Sequence, residues 1–432
     1  MIKRFLAAGL LLSATAGAYA QDVNKLIVQE DVGKIIKTLS ADDMQGRGSF
    51  TPGIDKAAKF IEGEFKKAGL TPLTGEKDFR QSFSVIRSTP VSIQASINGK
   101  PVLTENAFAM AGASFKWTAA SGAEVATLAA GQDFRTEYRK YLSSGKNMLI
   151  LVDPSFADIF GRLRNRTIGG NVSMKVDSAQ SLVFVLGKFD NPSNYEINYQ
   201  VKNEEAPLFN VAGMIKGKTK PDEYVVFSGH YDHLGIIKPT DKDSIANGAD
   251  DDASGTTAVI ALANYYKKLN NNARTLIFVA FTAEEIGGYG SQYFSNKVDP
   301  DKTVAMFNIE MIGKASKFGT NSAFITGYER SDFGTILQKN LKGTAFKFHP
   351  DPYPEQQLFY RSDNATLARH GVPAHTISTD QIDIDKLYHT VKDEFSSLDV
   401  SNITSTIRAI ALSSRSIVAG KDTPTRIPKM DD

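Results

Sequence analysis

The side chains best suited to chemistry are a His-x-Asp pair, His230 and Asp232, and a run of three acids at 250–252. The pair follows a short apolar segment, and the acids come just before Ser254, a good helix N-cap. Three successive acids at a surface would repel one another for little gain, and a bound cation would relieve that repulsion. A solvated loop, or acids favoured by the helix dipole, is the alternative interpretation. The nearby histidine favours a metal site.

Further acids and a second histidine come after later apolar segments. Glu284 and Glu285 follow one apolar run, Glu310 follows the next, and His389 comes after Tyr388. Imidazole and carboxylate together suit Zn²⁺, and one shared carboxylate can serve two such ions a few ångströms apart. Adjacent residues of a tight turn point in different directions, so one glutamate of the pair could bind metal while the other acts as general base. Two solvated surface glutamates are the alternative, and the preceding apolar strand argues against it.

These side chains can meet only if the strands before them end near one another. In the second half of the chain, apolar runs at 224–227, 276–281 and 304–307 alternate with helical patterns, which predicts an α/β domain on a largely parallel sheet. In such a sheet the chemistry lies at the carboxyl ends of the strands. The section at about 90–200 instead shows alternation followed by Asn98-Gly99, a strong hairpin signal, and is predicted to be rich in strands.

The first residues have the pattern of a secretory signal peptide. Lys3 and Arg4 form a basic region, residues 5–12 an apolar region, and Ala18-Tyr-Ala20 a small-residue cleavage site, so the predicted signal covers 1–20. The apolar run is short for a membrane span, and a retained N-terminal anchor is the alternative. The chain has no cysteine, which excludes disulfides and a lipidated cysteine and, for an exported protein, suggests a bacterial periplasm or exterior.

The charge balance excludes some classes of partner. The 432 residues include 50 basic and 48 acidic ones, and loss of Lys3 and Arg4 with the signal segment leaves 48 of each. Without a basic excess, neither nucleic acid nor an anionic membrane is an expected general partner. With 41% hydrophobic residues and no later long apolar run, the remaining chain is typical of a soluble globular protein without a membrane span. The sequence does not indicate an oligomeric state.

Several segments together resemble the co-catalytic di-zinc aminopeptidase family, which includes glutamate carboxypeptidase, glutaminyl cyclase and the inactive transferrin receptor. The resemblance covers residues 30–85 and 205–419. It implies a zinc-exopeptidase type of α/β fold, with a mostly parallel mixed central sheet flanked by helices and a smaller inserted β-rich domain. The segments that carry it are His230-Tyr-Asp232, residues 248–255, Ala283-Glu-Glu285, Asn308-Ile-Glu310, Tyr388-His-Thr390, and the lead-in from Gly46-Arg-Gly48 to the helix that ends before Leu70.

The resemblance also implies a domain organisation. The catalytic domain would comprise residues 21–89 and 201–419. The β-rich section at 90–200 would be a lid-like insertion, at the point where relatives carry such a domain. The remaining residues, 420–432, rich in charge and proline, are predicted to form a loose tail.

The resemblance assigns roles to individual residues. His230, Asp251 and Glu310 would bind one zinc, and Asp251, Glu285 and His389 the other, so that Asp251 bridges the two. Glu284 would be the general base for a water between the zincs. Asp232 would orient His230, and Tyr388 would help polarise the substrate carbonyl. The peptide bond after Asp251 would be cis, which is rare before a residue other than proline.

The chain departs from the family pattern in two places. Glu310 stands where the family usually has Asp, one methylene shorter. Asn364, in Arg361-Ser-Asp-Asn364, stands where the family has His. The other four histidines are expected to be structural or surface residues, because five ligands already complete a two-metal site; only His233, three residues from His230, could reach its rim. These four are His233, His349, His370 and His375.

The predicted function is therefore that of an exported zinc exopeptidase, an aminopeptidase that acts on peptides with a free N-terminus and uses two Zn²⁺. A glutamate-carboxypeptidase-like enzyme would need a cationic pocket, for which Arg361 and Arg330 are the candidates. A glutaminyl cyclase would use one zinc, which a complete set of five ligands disfavours. A non-catalytic binding protein on the same scaffold would be expected to lack ligands or the base.

Overall fold

The computed structural model describes residues 23–176, 178–190 and 192–430. Residues 84–207 form one compact unit, and the described residues on either side of them form the other. The predicted insertion at 90–200 lies inside the first of these, and its lid-like role stays a prediction. The predicted signal peptide at 1–20 lies outside the described residues. None of the helices that the structure describes is long and apolar enough to cross a membrane.

The strands include long ones, β1 and β9, that run across the border between the two units. In chain order they are β1 (Arg80–Ile97), β2 (Lys100–Pro101), β3 (Ala107–Met110), β4 (Phe115–Thr118), β5 (Glu124–Leu128), β6 (Met148–Val152), β7 (Asn171–Ser173), β8 (Leu182–Leu186), β9 (Tyr195–Ile215), β10 (Lys220–His230), β11 (Gly235–Thr240), β12 (Asp243–Ala246), β13 (Arg274–Phe281), β14 (Thr303–Ile309), β15 (Ser322–Ile325), β16 (Lys347–Pro350) and β17 (Ala374–Ser378).

The α-helices follow the same convention. They are α1 (Gln29–Leu39), α2 (Pro52–Ala68), α3 (Phe134–Leu142), α4 (Ala157–Ile168), α5 (Gly255–Leu269), α6 (Tyr289–Ser295), α7 (Phe333–Asn340), α8 (Asn364–Arg369), α9 (Val400–Ser413) and α10 (Arg415–Val418). α2 ends as its sequence predicts, because Gly69 adopts a left-handed conformation (φ 80°) at its C-cap.

The larger unit is built on a mixed, mostly parallel sheet in the order β16-β15-β17-β14-β10-β13-β9. β10 pairs in parallel with both β13 and β14, and β14 pairs in parallel with β17. β9 joins β13 as an antiparallel strand. All eight residues of β13 are buried, which is why its sequence is a continuous apolar run rather than an alternating one. The predicted α/β fold with a mostly parallel central sheet is confirmed.

The parallel pairing brings the chemistry to one edge of the sheet. His230 at the end of β10 is in register with Phe281 at the end of β13, so Glu284 and Glu285 follow close to His230. Ile309 of β14 is in register with Ile377 of β17, which places Glu310 beside the end of β17. Glu284 and Glu310, which lie 54 and 80 positions after His230 in the chain, therefore meet it at one site.

The smaller unit has its own sheet in the order β3-β8-β6-β5 and a separate apolar core. β6 pairs in parallel with β5 and β8, while β3 and β8 are antiparallel. α3 and α4 belong to the same unit, and their residues Phe134 and Phe160 are buried in its core. The prediction of a β-rich section is thus incomplete, because two helices alternate with the strands of this unit.

The predicted loose tail is wrong for the residues that the structure describes, 420–430. Ile427 is only 3% exposed and belongs to an apolar cluster that includes Leu367 and Val372. Its N–H donates to the carbonyl of Gly371, and the N–H of Met430 donates to that of Arg369. The charged residues and prolines of this segment led to the prediction of a loose tail, whereas the apolar side chain of Ile427 anchors it.

Arg47 ties together the loops behind the sheet edge. Its side chain is completely buried, and the hydrogen bonds that the structure describes for it all go to backbone carbonyls. Nε donates to Tyr231 O at 2.8 Å, Nη1 to the carbonyls of Leu39 and Asn247, and Nη2 to Gly248 O at 2.8 Å. The planar fork of an arginine suits such multiple acceptors. One side chain therefore fixes both the loop after β10 and the loop that carries the three acids.

We expect Arg47→Met to lower the free energy of unfolding of the metal-free protein by about 3–5 kcal/mol, the usual cost of removing one partner from a buried charged network. Urea unfolding followed by circular dichroism measures it. Arg369→Met, at an exposed arginine of α8, is the matched control and should cost less than about 1 kcal/mol. Equal losses of stability in the two variants would contradict the proposed role of Arg47 in fixing the two loops.

Candidate metal centre

The three successive acids have three different tasks. Asp250 accepts the N–H of Gly313 at 2.7 Å and lies 3.1 Å from the ammonium of Lys314. Asp252 accepts the N–H of His230 at 3.1 Å and that of Met311 at 3.2 Å, so it joins the ends of β10 and β14. Only the middle carboxylate, Asp251, is directed at the histidines.

Asp252 also caps the helix that follows. Its Oδ1 accepts the N–H of Gly255, the first residue of α5, at 2.9 Å. The helix begins where Ser254 predicted, but Ser254 makes no capping hydrogen bond. Its hydroxyl instead donates to the carbonyl of Asp250 and accepts from Ile312. The acid run therefore supplies the cap that the sequence assigned to the serine.

Asp251 has the position of a bridging ligand. Its Oδ1 lies 3.1 Å from His230 Nε2, and its Oδ2 lies 3.3 Å from His389 Nε2. Glu285 Oε2 lies 3.1 Å from the same nitrogen of His389. The peptide bond between Asp251 and Asp252 is cis, as the family resemblance implied. The two oxygens of Asp251 thus face two separate histidines, one on each side.

Glu310 lies on the His230 side of the site. The residue directly follows β14, and its N–H donates to the carbonyl of Ile377. Burial raises the pKa of its carboxyl, while the proximity of His230 opposes that shift. Glu310 lines the same pocket as Asp251 and Glu284.

The close contacts at this site are not hydrogen bonds. His230 Nε2, Glu285 Oε1 and Glu310 Oε2 are buried, and none of them has a hydrogen-bond partner among the described residues. Buried polar atoms are normally paired. Nitrogen and oxygen atoms that come within about 3 Å without hydrogen-bond geometry point at a shared position instead of at each other, as ligands of a cation do. The residues present therefore fit a zinc site.

His233 was expected to be structural, with the rim of the site within its reach; the structure places it inside the site. It is 2% exposed, and its Nδ1 lies 2.6 Å from Glu285 Oε1 and 3.7 Å from Asp251 Oδ2. Both of its ring nitrogens lack a hydrogen-bond partner among the described residues. His233, Asp251 and Glu285 form a group that could hold a metal ion. His233 thus joins His389 beside the same two carboxylates.

Two of the other histidines make their described contacts with residues outside this group. His375 is buried and lies within hydrogen-bond distance of Ser331 and Thr326, while His349 stacks on the ring of Phe318 at 4.0 Å.

The charge of the site is strongly perturbed by burial. Burial would raise the pKa of Asp251, but His233, His230 and His389 outweigh it and hold that pKa well below its usual range. Burial would lower the pKa of His389, but Asp251 and Glu285 outweigh it and raise that pKa to about 10. Against the effect of burial, the carboxylates also raise the pKa of His230 well above its usual range, so without a bound cation His230 and His389 are held protonated, and a metal ion would replace those protons.

The carboxylate of Asp232 holds the turn at Glu284 and Glu285 rather than the ring of His230. Its carboxylate accepts the N–H of Glu284 at 3.1 Å and the N–H of Glu285 at 3.3 Å. Its distance of 3.8 Å from His230 Nδ1 is too long for a hydrogen bond. The nearer acceptor for that nitrogen is the backbone carbonyl of Asp232, at 3.1 Å. The residue still orients His230, but through its main chain.

Glu284 directly precedes Glu285, which is one of the predicted metal ligands. Together with Glu310 and Tyr388, Glu284 lines a pocket. Burial raises the pKa of Glu284 well above its usual range, and Glu310, Asp363 and Glu285 raise it further. A carboxyl with a raised pKa beside a metal site is suited to take and return a proton.

Tyr388 stacks on the ring of His389, with ring centres 3.8 Å apart. Burial raises the pKa of its phenol, so the hydroxyl stays protonated and is able to donate a hydrogen bond. The stacking places this donor in the wall of the same pocket as Glu284.

Two residues near the site were not predicted to take part. Asp363 is 2% exposed, and its two oxygens have no hydrogen-bond partner among the described residues; burial raises its pKa to about 7. Asn364, where the family has His, donates to the carbonyls of Phe359 and Ala374 and accepts from Thr376. Asn364 therefore has a structural role that connects α8 to β17.

Comparison with curated proteins finds fungal relatives over part of the chain. A probable zinc metalloprotease of Leptosphaeria maculans is 30% identical over 142 residues, which are 32% of this chain and 31% of that protein. Leucine aminopeptidase 1 of Penicillium rubens is 30% identical over 211 residues, 45% of this chain and 52% of that protein. The chain thus matches about a third to a half of the length of these relatives. Their fungal origin gives no support to the predicted bacterial periplasm.

Solved structures with a similar fold come from bacteria. An aminopeptidase from Aneurinibacillus sp. strain AM-1 has a TM-score of 0.56 at 18% identity and covers 95% of this chain and 97% of its own. A peptidase M28 precursor from Shewanella amazonensis SB2B has a TM-score of 0.51 at 16% identity, over 96% and 99% of the two chains. At such identities the likeness concerns the fold.

Residues 210–413 match the sequence model described as peptidase family M28.

We expect His233→Ala to weaken the binding of one zinc by about 10- to 100-fold, the usual effect of removing a group that binds or orients a metal ligand. Competition with a chromophoric chelator measures the affinity, and emission spectrometry the zinc retained. His349→Ala, which removes a histidine remote from the site, is the control and should bind zinc like the wild type. Unchanged zinc affinity in His233→Ala would exclude it from the centre.

Proposed function

We propose that this protein is an exported aminopeptidase with two zinc ions, held by His230, Asp251 and Glu310 on one side and by Asp251, Glu285 and His389 on the other. The observation that supports it best is the position of Asp251, whose two oxygens face His230 and His389 separately. Export rests on the signal-like pattern at 1–20 alone.

Zinc ions held at these residues would polarise the substrate carbonyl and lower the pKa of a nearby water. Glu284, in the wall of the pocket, accepts the proton that this water loses and returns it to the leaving amine. Asp232 keeps Glu284 in place through the N–H of that residue. Tyr388 donates a hydrogen bond toward the carbonyl oxygen, where negative charge develops.

The charges beside the metal centre favour a substrate amine over a substrate carboxylate. Glu284, Glu310 and Asp380 line the pocket, and Arg361 is its one cationic side chain among the described residues. Arg361 is exposed and makes a long contact, 3.3 Å, with Gln356. Arg330, the other cation considered for a carboxylate, lies over the rings of Phe359 and Tyr360. Asp251 and Glu310 are proposed metal ligands, and the other acids of this pocket, Glu284 and Asp380, would attract an N-terminal ammonium and repel a C-terminal carboxylate.

The alternatives gain less support. A binding protein that had lost its activity would not need Glu284 beside a complete ligand set. A glutaminyl cyclase would bind a single zinc, and a single zinc does not explain why the two oxygens of Asp251 face two different histidines.

The proposal is tested with an aminoacyl anilide, its N-acetylated form, and an N-blocked peptide with a free carboxylate. The zinc-loaded wild type should hydrolyse only the first. Glu284→Gln keeps the size of the side chain but removes the base, so it should lower kcat on this substrate by about 10²–10⁴-fold at unchanged zinc content.

Glu30→Gln, at an exposed glutamate of α1, is the matched control and should leave the rate unchanged. Hydrolysis of the acetylated substrate at a comparable rate would contradict an aminopeptidase. Full activity of Glu284→Gln would assign the base to another residue.

A further inference from the structure

The pocket beside the metal centre is lined by both apolar and polar residues. Phe324, Met311, Leu358 and Ile382 line it, together with the carboxylate residue Asp380. Apolar walls of this kind suit the methylene stem of a long side chain, whose charged head then needs a partner of opposite charge. The chemistry at Asp380 therefore decides which side chain the pocket accepts.

Asp380 is a buried acid with unused hydrogen-bonding capacity. The residue is 3% exposed, and the hydrogen-bond partner of its carboxyl among the described residues is another acid, Asp385, rather than a cation. Its backbone is held by a hydrogen bond from its N–H to the hydroxyl of Ser378. A buried carboxylate without a cation beside it is costly, so a cationic ligand that pairs with it gains affinity.

Two of three neighbouring acids share one ammonium. The side chains of Asp250, Asp380 and Asp385 offer oxygen atoms that all lie within 4.8 Å of one another. Lys314 Nζ lies 2.7 Å from Asp385 and 3.1 Å from Asp250, and it makes no ion pair with Asp380 among the described residues. Asp380 is thus the acid of the three that lines the pocket and lacks a cation.

The raised pKa of Asp380 is consistent with the lack of a cation beside its carboxyl. Burial, together with Asp250 and Asp385, raises the pKa of Asp380 to about 8. An ammonium or guanidinium that enters the pocket would favour the ionised carboxylate and form a charge-assisted hydrogen bond with it.

The backbone connects this acid directly to the metal centre. β14 and β17 pair in parallel, and Glu310 and Ser378 follow the registered pair Ile309 and Ile377. The N–H of Thr379 donates to the carbonyl of Met311, so the pairing continues past the ends of both strands. Asp380 directly follows Thr379 and therefore lies close to Met311, the residue after Glu310. A substrate residue held at the metal centre would extend its side chain along this wall.

We propose that Asp380 makes the pocket select a basic side chain, lysine or arginine, on the N-terminal residue of the substrate. The inference rests on the proposed aminopeptidase function and names its substrate class. A metal ion is a poorer occupant, because Lys314 already lies between Asp250 and Asp385. An acidic side chain is disfavoured by the three carboxylates, and Arg361 lies at an exposed position.

The test compares lysyl and norleucyl anilides, which share the same four-carbon stem and differ by the terminal ammonium. For the zinc-loaded wild type, kcat/KM should be at least about 10-fold higher for the lysyl substrate. Asp380→Asn should lower kcat/KM for lysyl by about 10- to 100-fold, the worth of a hydrogen bond to a charged group, and change the norleucyl value by less than about twofold.

Asp383→Asn removes the same charge from a half-exposed side chain paired with Lys317 and is the matched control; its lysyl to norleucyl ratio should stay that of the wild type. Inhibition of norleucyl hydrolysis by free lysine and free norleucine gives a second measurement on the wild type alone, and lysine should bind at least about 10-fold more tightly.

Equal wild-type rates on the two substrates, or an equal loss of both in Asp380→Asn, would overturn the proposed selectivity while leaving the aminopeptidase function in place. A wild type that hydrolyses neither aminoacyl substrate would overturn both proposals.

Discussion

The structure depends on the confinement of negative charge. Asp232, Asp251 and Asp252 are buried, and Glu310 is partly buried, around one end of a parallel sheet. An unpaired buried carboxylate costs several kcal/mol, and close carboxylates repel one another further. Backbone N–H groups relieve part of this cost at Asp232 and Asp252, and the buried guanidinium of Arg47 lies behind the same loops. The remaining charge, centred on Asp251, requires cations in the site itself.

This constraint accounts for the division of work among the acids. The carboxylates that accept backbone N–H groups fix geometry: Asp252 joins β10, β14 and α5, and Asp393 accepts the N–H groups of Asp250 and Asp251. The carboxylates whose atoms lack hydrogen bonds face the site. A rigid frame of satisfied acids therefore positions the unsatisfied ones, which is the arrangement that a metal site needs in order to bind strongly without rearrangement.

Much of this could be predicted from the sequence, because strand ends are marked by apolar runs and parallel neighbours end at the same edge. That reasoning places His230, Glu285 and Glu310 near one another. It could not find His233, since a spacing of three residues after a strand does not show which side chain turns inward. It could not find Asp380 either, because its place in the pocket depends on the pairing of β17 with β14 and not on any local pattern.

The central claim is that the carboxylate of Asp251 is shared by two metal ions. Crystals of the zinc-loaded protein, with diffraction data collected on both sides of the zinc absorption edge, test it most directly. The account predicts two anomalous peaks, one on each side of Asp251, with His230 and Glu310 beside one peak and Glu285 and His389 beside the other. A single peak, or two peaks of which one does not contact Asp251, would contradict it.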